Sequence, residues 1–119
     1  MIIKIKDYDY RIEEVDENYK EFFNAKKELI FYGRTIFEKQ LIQIYKHLNS
    51  KRKRDTLIHE LTHAFYDVYL NSYHIKDKFD EEDICSFMAS YSEMIIDIAN
   101  RYFKTQKTIK IFQGDEKNG

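Results

Sequence analysis

In the stretch Asp55-Thr56-Leu57-Ile58-His59-Glu60-Leu61-Thr62-His63-Ala64-Phe65, two histidines stand four positions apart and a glutamate follows the first. On a helix, residues i and i+4 lie one above the other on the same face, so both rings can be aimed at a single point. A pair of neutral imidazoles suits a zinc ion. It leaves room for a third protein ligand and for a water whose pKa the metal lowers toward neutrality. Glu60, about 100° round the helix from His59, is placed to accept a proton from that water. By composition this pattern would arise by chance in about one chain in a hundred, so the spacing is a good signal but not a decisive one. The plainer alternative is a helix that carries two histidines on its solvent side.

The residues around the motif predict the helix it needs. Asn49 or Ser50 can cap it, and it should run to about Asn71. Leu57, Leu61, Ala64, Phe65 and Val68 fall on one face, and His59, His63, Tyr66 and Leu70 on the other, so core and metal receive opposite sides. The run Lys51-Arg52-Lys53-Arg54 opens the helix as a solvated face or, less simply, as a contact for nucleic acid or an acidic partner. Upstream, alternation predicts strands near residues 2–6 and 8–14, able to pair as a hairpin. Asp16 can cap a short helix to about Lys27 that carries Tyr19, Phe22 and Phe23. Leu29 to Thr35 and Leu41 to Tyr45 read as two more strands.

Downstream, Ser72 to Phe79 is a polar loop, and Asp80 is a good N-cap for a second helix reaching about Lys104. Its stripe would be Ile84, Phe87, Met88, Tyr91, Ile95, Ile98 and Tyr102. The opposite side carries Glu82, Ser86, Ala89, Ser90 and Glu93, small enough for a neighbouring helix to approach. Thr108 to Phe112 reads as a last strand, and residues 113–119 as a polar tail. The expected fold class is α+β, a single domain over residues 1–119 with a strand-rich segment 1–46, a motif helix near 50–71 and a second long helix near 80–104 packed against it.

Composition narrows the function classes. A formal charge of −1 in 119 residues gives no global field for nucleic acid or a membrane surface. Cys85 is the only cysteine, which excludes an intramolecular disulfide and fits a reducing compartment. It reads as small buried packing, or as a ligand for a soft metal. No apolar run approaches membrane-spanning length and the N-terminus does not read as a signal peptide, so a cytoplasmic protein of a bacterial cell is expected. Without proline, and with glycine only at 33, 114 and 119, nothing resembles an interdomain linker. His47, outside the motif, reads as structural or exposed.

The string His59-Glu60-Leu61-Thr62-His63-Ala64, followed by Glu82-Asp83-Ile84-Cys85-Ser86-Phe87-Met88-Ala89-Ser90, resembles the paired active-site helices of thermolysin-like zincins, the gluzincins. The resemblance covers residues 50 to about 100. It implies a minimal zincin-like domain holding one Zn2+ ion through His59, His63 and a glutamate opening the second helix. That glutamate would be Glu82, with Glu81 as the alternative. At Ser86 the family usually carries an aspartate that orients a ligand histidine. Ser86, Glu93 or Asp67 is what this chain offers for that role. A strand-rich half followed by such a helix pair is also similar to small metallopeptidase-like proteins of phages and mobile elements, including the repressor-cleaving ImmA group.

The implied activity is hydrolysis of a peptide or protein substrate, expected to be a regulatory protein of a phage or mobile element, with Glu60 as general base. Leu41 to Tyr45 would be either an edge strand pairing with extended substrate or a fully paired core strand. Tyr66, Tyr73, His74 and Tyr91 are the candidate donors to the developing oxyanion. The alternative is a catalytically silent zincin-fold binding protein. Membrane and nucleic acid are not expected partners.

Overall fold

A computed structural model describes residues 1–70 and 80–118, with side chains as far as residue 107. It is a small α+β domain. Strands β1 (Ile2–Ile5), β2 (Tyr8–Val15), β3 (Gly33–Ile36) and β4 (Leu41–Tyr45) form one mixed sheet in the order β1-β2-β4-β3, followed by helices α1 (Ser50–Tyr69) and α2 (Glu81–Asn118). β1 and β2 form the antiparallel hairpin that their alternation predicts. β4 lies parallel to β2, with Arg11 opposite Leu41 and Val15 opposite Tyr45, and β3 closes the sheet antiparallel to β4.

Alternation decides what each face of the sheet covers. Ile3, Ile5, Tyr10, Ile12, Ile42 and Ile44 point to the helices and meet Leu57, Leu61, Ala64 and Phe65 of α1 with Phe87, Ile95, Ile98 and Tyr102 of α2. The buried face of α1 is the one its 3.6-residue period predicts. Val15, Leu41 and Gln43 point the other way, where buried Phe22 forms a second, smaller layer. Gln43 is only 1% exposed in the central strand, yet its amide is satisfied at both ends: Nε2 donates to Glu13 and Oε1 accepts from Arg34. Arg34 in turn pairs with Glu21 and stacks over Tyr19 and Phe22.

Both helix starts follow their caps. The Asn49 side chain accepts from the Arg52 amide at 2.9 Å, and Asp80 and Asp83 exchange side-chain to backbone bonds at 3.0 Å in a capping box. The helices meet along an aromatic seam in which Tyr91 stacks on Tyr69 at 4.5 Å and touches Phe65 and Phe87. Tyr102, one of the largest buried side chains, donates to Glu14 on β2, and Lys53 of α1 holds the other oxygen of that carboxylate at 2.7 Å. One carboxylate thus ties both helices to the sheet.

Several expectations are corrected. The helix expected from Asp16 to Lys27 is only a 3-10 turn at Lys20–Phe22, because the Asn24 side chain accepts from the Lys26 and Glu28 amides and folds the chain into a turn. The strand expected from Leu29 begins at Gly33, as the amides of Ile30 and Phe31 go to the Phe22 carbonyl. The expected strand at Thr108 to Phe112, and residues 113–118 of the expected polar tail, belong to α2, since neither proline nor glycine interrupts the chain between Asp80 and Gln113. A helix of 38 residues is about 57 Å long, which matches the longest extent of the molecule, 57 Å. Ile84 and Met88, assigned to the apolar stripe, are half exposed, and Cys85 is exposed rather than packed. Among the described residues no helix is long and apolar enough to cross a membrane.

Burial and the nearby Asp67 carboxylate push the Tyr10 phenol up to about 12, and burial with the Glu14 hydrogen bond moves Tyr102 the same way. An unfolded chain ionises both near pH 10, so above that the unfolded state sheds protons that the folded state keeps, and stability falls as pH rises. Thermal melts should therefore show constant stability from neutral pH to about 10 and a steady loss between 10 and 12. Tyr102→Phe should flatten that decline while costing about 1.5–3 kcal/mol at pH 7 for the lost bond to a charged acceptor.

Candidate metal and catalytic site

Helix α1 carries the motif as its period predicts. His59 and His63 are exposed on the face away from Leu57, Leu61 and Phe65, and their Nε2 atoms lie 3.2 Å apart with ring centroids at 4.9 Å. Two zinc–nitrogen bonds of ordinary length spanning that gap would meet at about 100°, near the tetrahedral value. That separation is also a hydrogen-bonding distance between the rings; with both Nε2 atoms unprotonated, the pair fits a zinc ion in chemistry and in spacing.

Glu60 is held quite differently. It is 6% exposed, and one of its oxygens, Oε2, lies 3.9 Å from His59 Nε2. The other, Oε1, is 3.0 Å from the Thr35 hydroxyl, which is also 3.1 Å from the Glu60 backbone carbonyl and shares its proton between them. Thr35 sits on β3, directly across from Ile42 on the helix-facing side. The strand comes this close because of Gly33. A Cβ there would stand 2.7 Å from Thr56 Cγ2, 3.0 Å from the Gln43 carbonyl and 3.2 Å from Glu60 Cγ. The φ angle at Gly33 is not positive, so the glycine is required by space and not by backbone conformation.

Beside His59 and Glu60 opens a cleft of about 530 Å3. One wall is the N-terminal half of α1, with Arg52, Asp55 and Thr56. The other is the chain leading into β3, where Ile30, Phe31 and Tyr32 stand 45–50% exposed. Sequence reasoning missed this wall, along with Gly33, Thr35 and the part played by Arg52. A lone glycine within an apolar run, three residues after an exposed aromatic cluster begins, was the available signal for a close approach.

The remaining candidates are dispersed. Glu81 and Glu82 are both exposed in the first turn of α2, and among the described residues no group of three or more His, Cys, Asp or Glu is arranged to hold a metal ion, so Glu82 is not grouped with the histidine pair. Ser86, Ala89, Ser90 and Glu93 are exposed, and α2 meets α1 through Phe87 and Tyr91 instead of that small-residue face. Tyr91 is committed to the seam, and Tyr66 packs half-buried against the core; neither lines the cleft. Asp67 faces Tyr10 closely enough to raise its pKa. Tyr73 and His74 lie outside the described residues. His47 is exposed, 3.3 Å from Glu17 and edge-on to Tyr45. β4 is paired on both sides, so the reading of Leu41 to Tyr45 as an edge is corrected; the edge beside Glu60 is β3.

The basic run is also divided. Lys51 pairs with Asp55 at 2.7 Å, Lys53 is drawn in against Glu14, and the Arg52 guanidinium lies over the Tyr32 ring at 4.8 Å. Three of the run's four cations are thus directed to different neighbours. No protein-family model, curated protein or solved structure matches this chain.

Gly33→Ala should cost about 1–3 kcal/mol in urea denaturation through overpacking against Thr56 and the Gln43 backbone. Thr35→Val, which keeps the shape and removes the donor to a buried carboxylate, should cost about 1.5–3 kcal/mol.

Proposed function

We propose that this chain is a small zinc-dependent endopeptidase of the gluzincin type, with His59 and His63 as metal ligands and Glu60 as general base. The observation that carries the reading is the convergence of His59 Nε2 and His63 Nε2 to 3.2 Å next to a buried carboxylate, at the mouth of a cleft. Glu82, or Glu81, would supply the third ligand. Bound there, zinc would polarise a scissile carbonyl and lower the pKa of a water toward neutrality.

The chain's own part is positioning and proton transfer. Thr35 fixes Glu60 Oε1, which leaves Oε2 on the histidine side as the oxygen free to take a proton and later return it to the leaving amine. Burial removes competing water from that carboxylate, while the exposure of the rings leaves the metal face open to substrate. An extended peptide would lie between the edge strand β3 and the N-terminal half of α1. The resemblance to phage and mobile-element peptidases, with the repressor-cleaving group among them, points to a regulatory protein of such an element as substrate and to a bacterial cytoplasm as the place of action.

Protein purified without a metal-affinity tag should contain one zinc per chain by mass spectrometry, lost in His63→Ala and in Glu82→Ala. Glu60→Gln should keep the metal and lose a hundredfold or more of peptide turnover, at about the scale of a general base. Zinc bound by wild type with no turnover of any substrate would favour the binding-protein alternative. Wild type without metal, even after zinc is supplied, would overturn the proposal.

A further inference from the structure

The cleft beside Glu60 has a built-in cation. Arg52 lies two turns before His59 on the same side of α1, and its guanidinium is seated over the Tyr32 ring at 4.8 Å. Stacking holds the planar group in place but satisfies none of its N–H donors. The other cation of the cleft, Lys51, is taken by Asp55 at 2.7 Å; among the described residues no carboxylate pairs with Arg52. Below the guanidinium, Ile30, Phe31 and Tyr32 expose an apolar wall. A pre-positioned guanidinium with free donors next to aromatic surface is suited to a carboxylate on a chain whose neighbouring side chains are apolar.

We infer that the cleft selects peptides bearing a carboxylate, which Arg52 binds, next to an aromatic or large aliphatic side chain that packs on Phe31 and Tyr32. The inference rests on the peptidase reading for the peptide's being cut, but binding can be measured without turnover. The seven residues from Arg52 to His59 span about 10 Å of helix, the reach of about three residues of extended chain, so the carboxylate would lie about three positions from the scissile bond. It could be an Asp or Glu side chain or a C-terminal carboxylate. A polynucleotide is the less suitable occupant, because its repeated phosphates would meet Asp55 and Glu60 along the cleft, whereas a single carboxylate at Arg52 need meet neither.

The test uses the Glu60→Gln protein loaded with zinc and fluorescein-labelled peptides carrying a phenylalanine beside a glutamate, the glutamine twin, and an amide-free twin whose only carboxylate is C-terminal. Fluorescence polarisation should show the glutamate or the C-terminal acid peptide binding about tenfold tighter than the neutral one, and which of the two wins identifies the source. Arg52→Gln should abolish that preference. Equal affinity for all peptides while wild type still cleaves them would overturn the inference and leave the peptidase reading standing. Acid preference without cleavage by wild type would uphold the binding inference and count against the peptidase reading. Binding of a labelled thymidine oligonucleotide with none of the peptides bound would overturn the inference.

Discussion

With no side chain at Gly33, the backbone of β3 can lie against Thr56 and Glu60, and the candidate site hangs on that approach. It brings the Thr35 hydroxyl to Glu60, and with it a donor for a carboxylate that is otherwise shut away from water. A buried carboxylate without such a partner is expensive, so the spacing between an edge strand and a helix decides whether the glutamate can exist in that position at all. The exposed histidines need no such support. They stand on the helix face that the core leaves free.

The remainder of the domain serves to fix α1 relative to that strand. Ile42 and Ile44 receive Leu57 and Leu61 from below, and the aromatic seam with α2 holds the far side. Glu14 joins the two helices to the central part of the sheet through Lys53 and Tyr102. On the opposite face of the sheet, Arg34, Gln43 and Glu13 form a second polar chain under Phe22. Two layers on a four-stranded sheet leave the β3 edge and the start of α1 as the place where a cleft can form.

What the sequence made legible was local. The Asn49 and Asp80 caps, the buried stripe of α1 and the β1–β2 hairpin follow from spacing that is complete within one element. The sheet order was not legible, because the parallel pairing of β2 with β4 joins residues 30 positions apart, and nothing in Leu41 to Tyr45 distinguishes a central from an edge strand except that its burial is continuous. Ile84 and Met88 fit the apolar period of α2 yet stay half exposed, since the seam with α1 is made by Phe87 and Tyr91. The histidine pair was legible because four residues of helix determine it. A third ligand for the proposed site was not, because the place of any residue on α2 depends on how that helix is set against α1 and not on local spacing.

The parallel pair at the middle of the sheet has a consequence for the order in which the chain assembles. Residues 16–40, which lie between β2 and β4, contain two 3-10 turns (Lys20–Phe22 and Phe37–Lys39), the Asn24 turn and β3, but no α-helix to bring the two strands together. Closing a segment of that length costs about 3 kcal/mol in chain entropy before any pairing repays it. The β1–β2 hairpin and the capped α1 can form on their own contacts, whereas the centre of the sheet waits for both ends of the segment to meet. The cleft, made by that same segment on one side and by α1 on the other, therefore depends on the longest chain closure in the sheet.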